Sequence, residues 1–92
     1  MWEAIIQTLS VQIGGDSKTV EVIAEVLEGR ITAGMNVEIG LNKSMSFSVP
    51  IISVIETGQS KVKLVLDGED NEGANMIEAL NFADETLVVS SQ

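Results

Sequence analysis

The 92-residue sequence lacks cysteine, histidine and tyrosine, and each absence removes a class of chemistry. Without cysteine there can be no disulfide, thiolate nucleophile or thiolate metal ligand. Without histidine the chain lacks the commonest general base near neutral pH and the commonest zinc ligand. Aromatic residues make up only 3% of the chain. We therefore expect a protein that is not an enzyme and that holds no cofactor.

Positive charge is also scarce, since five Lys and Arg residues stand against fourteen Asp and Glu residues, for a net charge of −9. Surfaces that bind phosphates draw their affinity from clustered cations, so nucleic acid is a disfavoured partner. An acidic field favours a basic protein partner instead. The residues that would carry a nucleic-acid contact, if they cluster at one end of the fold, are Lys18, Arg30 and Lys43.

Long hydrophobic runs are absent as well. No apolar stretch approaches the roughly 20 residues that a membrane-spanning helix needs. The opening residues Met1, Trp2 and Glu3 lack the basic region of a signal peptide. We expect a cytoplasmic protein with no membrane partner, folded as one domain over residues 1–92. A homo-oligomer is left open.

The apolar residues that are present recur with a period of two over most of the chain, which predicts β-strands. Five runs are separated by turns such as 14–16 and 57–60. Pro50 cannot donate a ladder hydrogen bond, so its strand is expected at an edge or with a bulge. The predicted inward-facing residues are Ile5, Leu9, Val11 and Ile13; Val20, Val22, Ala24 and Val26; Met35, Val37, Ile39 and Leu41; Phe47, Val49, Ile51 and Ile55; and Val62, Leu64 and Leu66.

The period of two stops at Gly68, and a helical pattern follows over about residues 71–82. Its apolar stripe comprises Met76, Ile77, Leu80 and Ala83, and it is expected to cover one open end of the sheet. A last strand is predicted over 85–90. Six short strands with frequent turns predict an all-β protein, a small closed antiparallel six-stranded β-barrel with one short helix. We assign Met76 and Met35 to its core.

Residues 24–39, which read AEVLEGRITAGMNVEI, resemble the start of the second domain of translational GTPases such as elongation factor Tu. Two glycines and alternating apolar residues have the spacing of that domain. Gly29 is expected to adopt a backbone conformation that a β-carbon penalises, and Gly34 to form a tight turn. Residues 62–68 and 84–89 also resemble that domain, so the resemblance covers about 19–90. The matching positions are Gly29, Ile31, Gly34, Val37, Ile39 and Gly68.

The resemblance implies a β-barrel that, in the family, packs on a GTPase domain and touches the acceptor end of charged tRNA. This chain has no Gly-x4-Gly-Lys-Ser/Thr phosphate loop, so GTP hydrolysis is not implied. Glu25 stands where the family usually has arginine. We therefore expect a stand-alone barrel module that acts through protein contacts. The alternative is an accessory factor associated with tRNA or the ribosome.

An acidic loop over 67–78 is the one candidate for ligand chemistry. Asp67, Glu69 and Asn71 occupy the first, third and fifth places of an EF-hand loop, and Glu78 occupies the twelfth. The glycine that such a loop needs at its sixth place is replaced by Glu72. One interpretation is a site for a divalent cation or small ligand. The other is a solvated loop in which Asp70 or Asn71 caps the helix.

Two apolar residues are candidates for contact with a protein partner. Met45 lies between serines at a predicted hairpin tip, and Trp2 either packs across a barrel end or anchors a partner. Serine nucleophiles lack their usual histidine base here. Lys61 and Lys63 alternate with apolar residues, as lysines that protect a strand edge do. Chemistry between a lysine and a serine or an aspartate is left open.

Overall fold

Six strands and one helix form the computed structural model, which describes residues 2–40, 46–80, 82 and 84–91, with Trp2 and Ser46 described through their backbone alone. The elements are β1 (Trp2–Ile13), β2 (Thr19–Gly29), β3 (Asn36–Gly40), β4 (Ser46–Gly58), β5 (Lys61–Asp67), α1 (Asn71–Ala79) and β6 (Thr86–Ser90). The strands pair antiparallel in the order β1-β2-β5-β4-β3-β6, and β6 also pairs with β1. The sheet is therefore a closed barrel, and the predicted fold class is confirmed.

The strand β4 is long because it serves two neighbours in turn. Its first residues pair with β3, ending at Pro50 opposite Asn36. Its pairing with β5 begins one residue later, at Ile51 opposite Leu66. Pro50 therefore stands one residue before the pairing with β5 begins. A hydrogen bond from a backbone N–H to β5 is not needed at that position, so proline fits there. A register shift follows directly, between Ile51 and Ser53.

The inward faces of β2 and β5 are as predicted, and they form the centre of the core. The alternate residues of both strands are buried, while their neighbours face outward. Because branched aliphatic side chains fill the narrow interior of a six-stranded barrel well, the core needs few aromatic residues. The buried residues of these two strands are Val20, Val22, Ala24, Val62, Leu64 and Leu66.

The inward face predicted for the first half of β1 is wrong. Leu9, predicted inside, is 39% exposed. A register shift between Thr8 and Ser10 adds one residue to β1, and such a bulge reverses the alternation of its side chains. Beyond the bulge, Val11 and Ile13 pack against the core as predicted. The buried residues before the bulge are Ala4, Ile6 and Thr8.

A second bulge overturns the prediction for Ile55. Beyond the register shift between Ile51 and Ser53, the alternation in β4 is displaced by one residue. Val54 consequently packs against the core. Ile55 is 48% exposed on the outer surface, and Ile52 is 49% exposed at the bulge itself.

The helix α1 begins at a capped end and is shorter than predicted. The Asp70 carboxylate accepts a hydrogen bond of 2.7 Å from the Gly73 backbone N–H. This is the N-cap that the solvated-loop interpretation predicts. The helix ends at Ala79 rather than near residue 82. Its buried residues are Ala74 and Ile77. The assignment of Met76 to the core is wrong: Met76 is 50% exposed, because its neighbour Ile77 points inward instead.

The helix closes the end of the barrel at which β1 turns into β2. The Gly68 N–H donates a hydrogen bond of 3.0 Å to the Lys18 carbonyl oxygen. A β-carbon at Gly68 would lie 2.7 Å from that same oxygen and from the Cα of Ala74. Glycine at this position therefore allows α1 to sit directly on the β1–β2 turn.

The two glycines of the family-like stretch lie at the opposite end of the barrel. Gly29 has a φ of +83°, and a β-carbon there would collide with the Glu3 carbonyl oxygen and lie 2.8 Å from the Cα of Ala4. Gly34 has a φ of +98° and open space around it. Both therefore adopt a backbone conformation that other residues rarely take, as predicted.

Candidate functional site

The residues that match the family-like pattern build the barrel rather than a surface. Val37 and Ile39 point from β3 into the core and are 1% exposed. Ile31 is partly buried and packs against the core at the end opposite α1. Together with the glycines already described, these side chains have a structural role.

The cations predicted for nucleic-acid contact do not form one patch. Lys18 precedes β2 and Arg30 follows it, so the 11-residue strand separates them. Lys18 lines a shallow depression with Asp70, Asn71 and Glu72. Lys43 lies outside the described residues. The structure therefore does not bring together the two of these cations that it describes, Lys18 and Arg30.

Arg30 lines a groove of about 580 Å³ at the end of the barrel opposite α1. Lys61 also lines this groove, together with the carboxylate residues Glu28 and Glu56. Two positive and two negative side chains thus share the same space. Their charges cancel, whereas a site for a polyanion needs an excess of positive charge.

Neither of the two β5 lysines is placed as a catalytic base. A lysine must be desolvated to give up its proton near neutral pH. Lys61 is exposed, although Ser60 lines the same groove. The Lys63 ammonium lies 3.0 Å from the Glu21 carboxylate. The hydrogen bond from Lys63 is the largest of the effects that lower the pKa of Glu21, so this carboxylate is ionised near neutral pH.

The acidic residues of 67–78 do not converge. Asp67 ends β5 and its carboxylate accepts the Glu69 N–H at 2.8 Å, which closes the turn. Asn71 begins α1 and Glu78 lies in its last turn. At 1.5 Å per residue, the helix sets those two about 10 Å apart along its axis. Over the ranges 2–40, 46–80, 82 and 84–91, no group of three or more acidic residues is arranged to hold a metal ion.

The two apolar contact candidates cannot be placed through their side chains. Trp2 opens β1, and its backbone lies opposite Ser90 of β6. Its side chain is not among those described. Met45 lies outside the described residues.

An apolar surface lies on the outside of three neighbouring strands, and strand periodicity had placed one of its residues, Ile55, inside the barrel. Leu27, Ile52 and Ile55 are each about half exposed there. Ile55 lies opposite Lys63 of β5, and Lys63 lies opposite Ile23 of β2. We call this surface, formed by Ile23, Leu27, Ile52, Ile55 and Val65, the β4–β5–β2 face.

Charges on the β4–β5–β2 face are balanced although the chain as a whole is strongly acidic. Lys63 pairs with Glu21. Lys61 lies opposite Glu25 in the β2–β5 register. Two lysines of a chain that has five basic residues therefore stand on this face beside two carboxylates. This part of the surface lacks the excess negative charge of the molecule.

A second apolar feature is a groove of about 290 Å³ between the start of β4 and helix α1. Phe47, Val49 and Pro50 form one side, and Met76 and Ile77 form the other. Two carboxylate residues, Asp67 and Glu69, also line it. We call it the α1–β4 groove. It could not be seen in the sequence because it depends on where α1 lies against β4.

Comparison with protein-family models, with curated proteins and with solved structures finds no significant match for this chain. The resemblance of residues 19–90 to the second domain of translational GTPases therefore stays a prediction from the sequence. In the described part of the chain, no helix has the length and apolar character that crossing a bilayer requires.

Proposed function

We propose that this chain is a non-enzymatic protein-binding module, on a barrel of the type found in the second domain of translation factors, and that it binds through the β4–β5–β2 face. The observation that carries the proposal is the position of three half-exposed aliphatic residues, Leu27 on β2 and Ile52 and Ile55 on β4, the two strands that flank β5. Contiguous apolar surface on a small protein marks a site of interaction.

The charges of this face favour an apolar partner surface. Burying an unpaired charge at an interface costs several kcal/mol or more, whereas paired charges need no counter-charge from the partner. Lys63 and Glu21 already form an ion pair of 3.0 Å. The occupant that fits is therefore a folded partner with an apolar, nearly neutral patch of its own.

The barrel itself directs binding to its outer surface. Aliphatic side chains occupy the interior, and the described strands form a closed ring in which each pairs on both sides. A partner therefore has no free strand edge of this ring to extend and must bind through side chains. The residues of the β4–β5–β2 face stand on paired strands, so they form a preorganised surface.

Site-specific photo-crosslinking tests the proposal. A benzophenone amino acid replaces Ile55 in one variant and Thr86, exposed on β6 across the ring from β5, in the matched control. We expect a discrete adduct from position 55 in cells that express the protein at its natural level. Leu27→Ser, which alters the same face, is expected to abolish this adduct while leaving the unfolding midpoint within error.

The mass of the adduct identifies the kind of partner. A mass of twice 9.8 kDa would identify a second copy of the chain, and any other discrete mass a different protein. Both support a protein-binding face. Equal adducts from positions 55 and 86, no adduct from either, or an adduct that Leu27→Ser leaves unchanged would contradict the proposal.

A further inference from the structure

We infer that the α1–β4 groove binds a basic peptide segment that inserts one apolar side chain. The groove lies on a different part of the barrel from the β4–β5–β2 face. The inference goes beyond the proposed function, since it adds a second site with a different partner chemistry.

The walls of the groove are apolar and include an adaptable side chain. Ile77 is buried beneath it, whereas Met76 is 50% exposed. Phe47 of the opposite wall packs partly against the core. An unbranched thioether such as that of Met76 fits irregular apolar partners well. The groove therefore suits an aliphatic or aromatic side chain.

The charges at the groove select a basic segment. Asp67 and Glu69 line it, and no cation does so among the described residues. The hydrogen bond from the Glu69 N–H to the Asp67 carboxylate holds these two residues together. Lys18, whose carbonyl oxygen accepts the Gly68 N–H, lines a separate depression with Asp70, Asn71 and Glu72. Lysines or arginines beside an apolar anchor complement this arrangement.

The size of the groove favours a peptide side chain over a whole small molecule. Its volume of about 290 Å³ lies at the lower limit of about 300–1,000 Å³ for small-molecule sites. One large side chain fills such a space, and flanking residues of the peptide then reach the carboxylates at its edge. The affinity of this arrangement depends on the anchor and on the flanking charge together.

Three fluorescein-labelled peptides test this dependence by fluorescence anisotropy. The first has one leucine between pairs of lysines, the second replaces the leucine with serine, and the third replaces the lysines with glutamates. We expect the first to bind the protein. Loss of the leucine or of the basic charge should each weaken binding by about ten-fold or more.

Matched variants locate the site on the protein. Glu69→Lys and Glu28→Lys make the same change in net charge, but Glu28 lies at the opposite end of the barrel. Met76→Ser and Ile55→Ser remove half-exposed apolar residues from the groove and from the other face. At about 0.15 M salt, where distant charges are screened, we expect Glu69→Lys and Met76→Ser to weaken the first peptide by about ten-fold. The two controls should change its affinity less than about two-fold.

Three results would overturn the inference. Equal weakening by Glu69→Lys and Glu28→Lys would show diffuse attraction to an acidic surface. Equal affinity for the leucine and serine peptides would show that nothing is inserted. Absence of binding at millimolar protein would contradict it outright. None of these results alters the adduct expected at Ile55, so the inference and the proposed function fail separately.

Discussion

Thr8 and Phe82 lie 74 positions apart in the sequence, and the Thr8 hydroxyl donates a hydrogen bond of 2.5 Å to the Phe82 carbonyl oxygen. The same hydroxyl accepts the Glu85 N–H at 2.9 Å. The backbone N–H of Thr8 donates to the Glu85 carbonyl oxygen, also at 2.9 Å. One fully buried residue of β1 thus fixes the segment that leads from α1 into β6.

The Thr8 hydroxyl is expected to contribute to stability mainly by satisfying two buried backbone groups. Thr8→Val keeps the shape and removes the hydroxyl, leaving the Phe82 carbonyl and the Glu85 N–H unpaired. We expect the free energy of unfolding in urea to fall by about 1–3 kcal/mol. Thr86→Val is the control, since its hydroxyl bonds to Gln7 on the exposed surface, and should cost less than about 0.5 kcal/mol. Equal effects of the two variants would contradict this account.

The glycines of the barrel should differ in how much an added methyl group destabilises the fold. Gly29→Ala combines a positive φ with a collision against the Glu3 carbonyl oxygen, and we expect it to cost about 3 kcal/mol or more. Gly34→Ala meets open space and carries only the conformational strain, which is worth about 1–2 kcal/mol.

Gly40→Ala is the control for both glycines, because Gly40 has open space and no positive φ. Its effect on the free energy of unfolding should stay within about 1 kcal/mol in either direction. The account would be contradicted if urea unfolding gave the three variants equal stability.

The turn between β1 and β2 should make stability depend on acid pH. Hydrogen bonds from the Lys18 N–H, then from the Thr19 hydroxyl and N–H, lower the pKa of Asp16 from its ordinary value of 3.8. Because the folded pKa is the lower one, the carboxylate stabilises the fold well above pH 3.8. That stabilisation is lost as the pH falls through the folded pKa. We expect the wild-type protein to exceed Asp16→Asn in unfolding free energy at pH 6, and this difference to narrow as the pH falls below 3.8.

Glu56→Gln is the matched control for this pH dependence, since it makes the same change in net charge away from the β1–β2 turn. The difference between wild type and Asp16→Asn should shrink on acidification, beyond any change seen for the control. A constant difference from pH 6 to pH 2 would rule out a role for the Asp16 carboxylate.

The bulge in β4 can be tested by placing the same side chain on each of two consecutive residues. Val54→Thr puts a hydroxyl toward the core and should cost about 1–2 kcal/mol in unfolding free energy. Ile55→Thr, on the outer surface, should change it by about 0.5 kcal/mol or less. If Ile55→Thr lowered the unfolding free energy more than Val54→Thr, Ile55 rather than Val54 would face the core, as simple alternation predicts.

Strand periodicity predicted the parts of the fold in which alternation is unbroken. The faces of β2 and β5 were correct because Val20 to Ala24 and Val62 to Leu66 each pair without a register shift. Alternation failed for Leu9 and Ile55, which lie at or beyond bulges. A bulge depends on how two distant strands pair, and a single strand's composition carries little information about that.

The candidate surfaces were less predictable than the fold. The half-exposed Ile52 and Ile55 follow from a bulge. The α1–β4 groove follows from the position of Met76 relative to Phe47, which lies far away in the sequence. One signal was available, since Met76 and Ile77 are adjacent on a helix and cannot both face a barrel end. The family-like glycine spacing, by contrast, concerned the backbone, and both of its glycines, Gly29 and Gly34, have a positive φ.

Ring closure through β6 has a consequence for synthesis of the chain on the ribosome. Strand β6 pairs with both β1 and β3, and it is the last of the six strands to be made. Until residues 86–90 emerge, the nascent sheet has two unpaired edges that can capture strands from neighbouring nascent chains. Translation that halts before residue 86 should therefore yield aggregates rather than a smaller soluble fold.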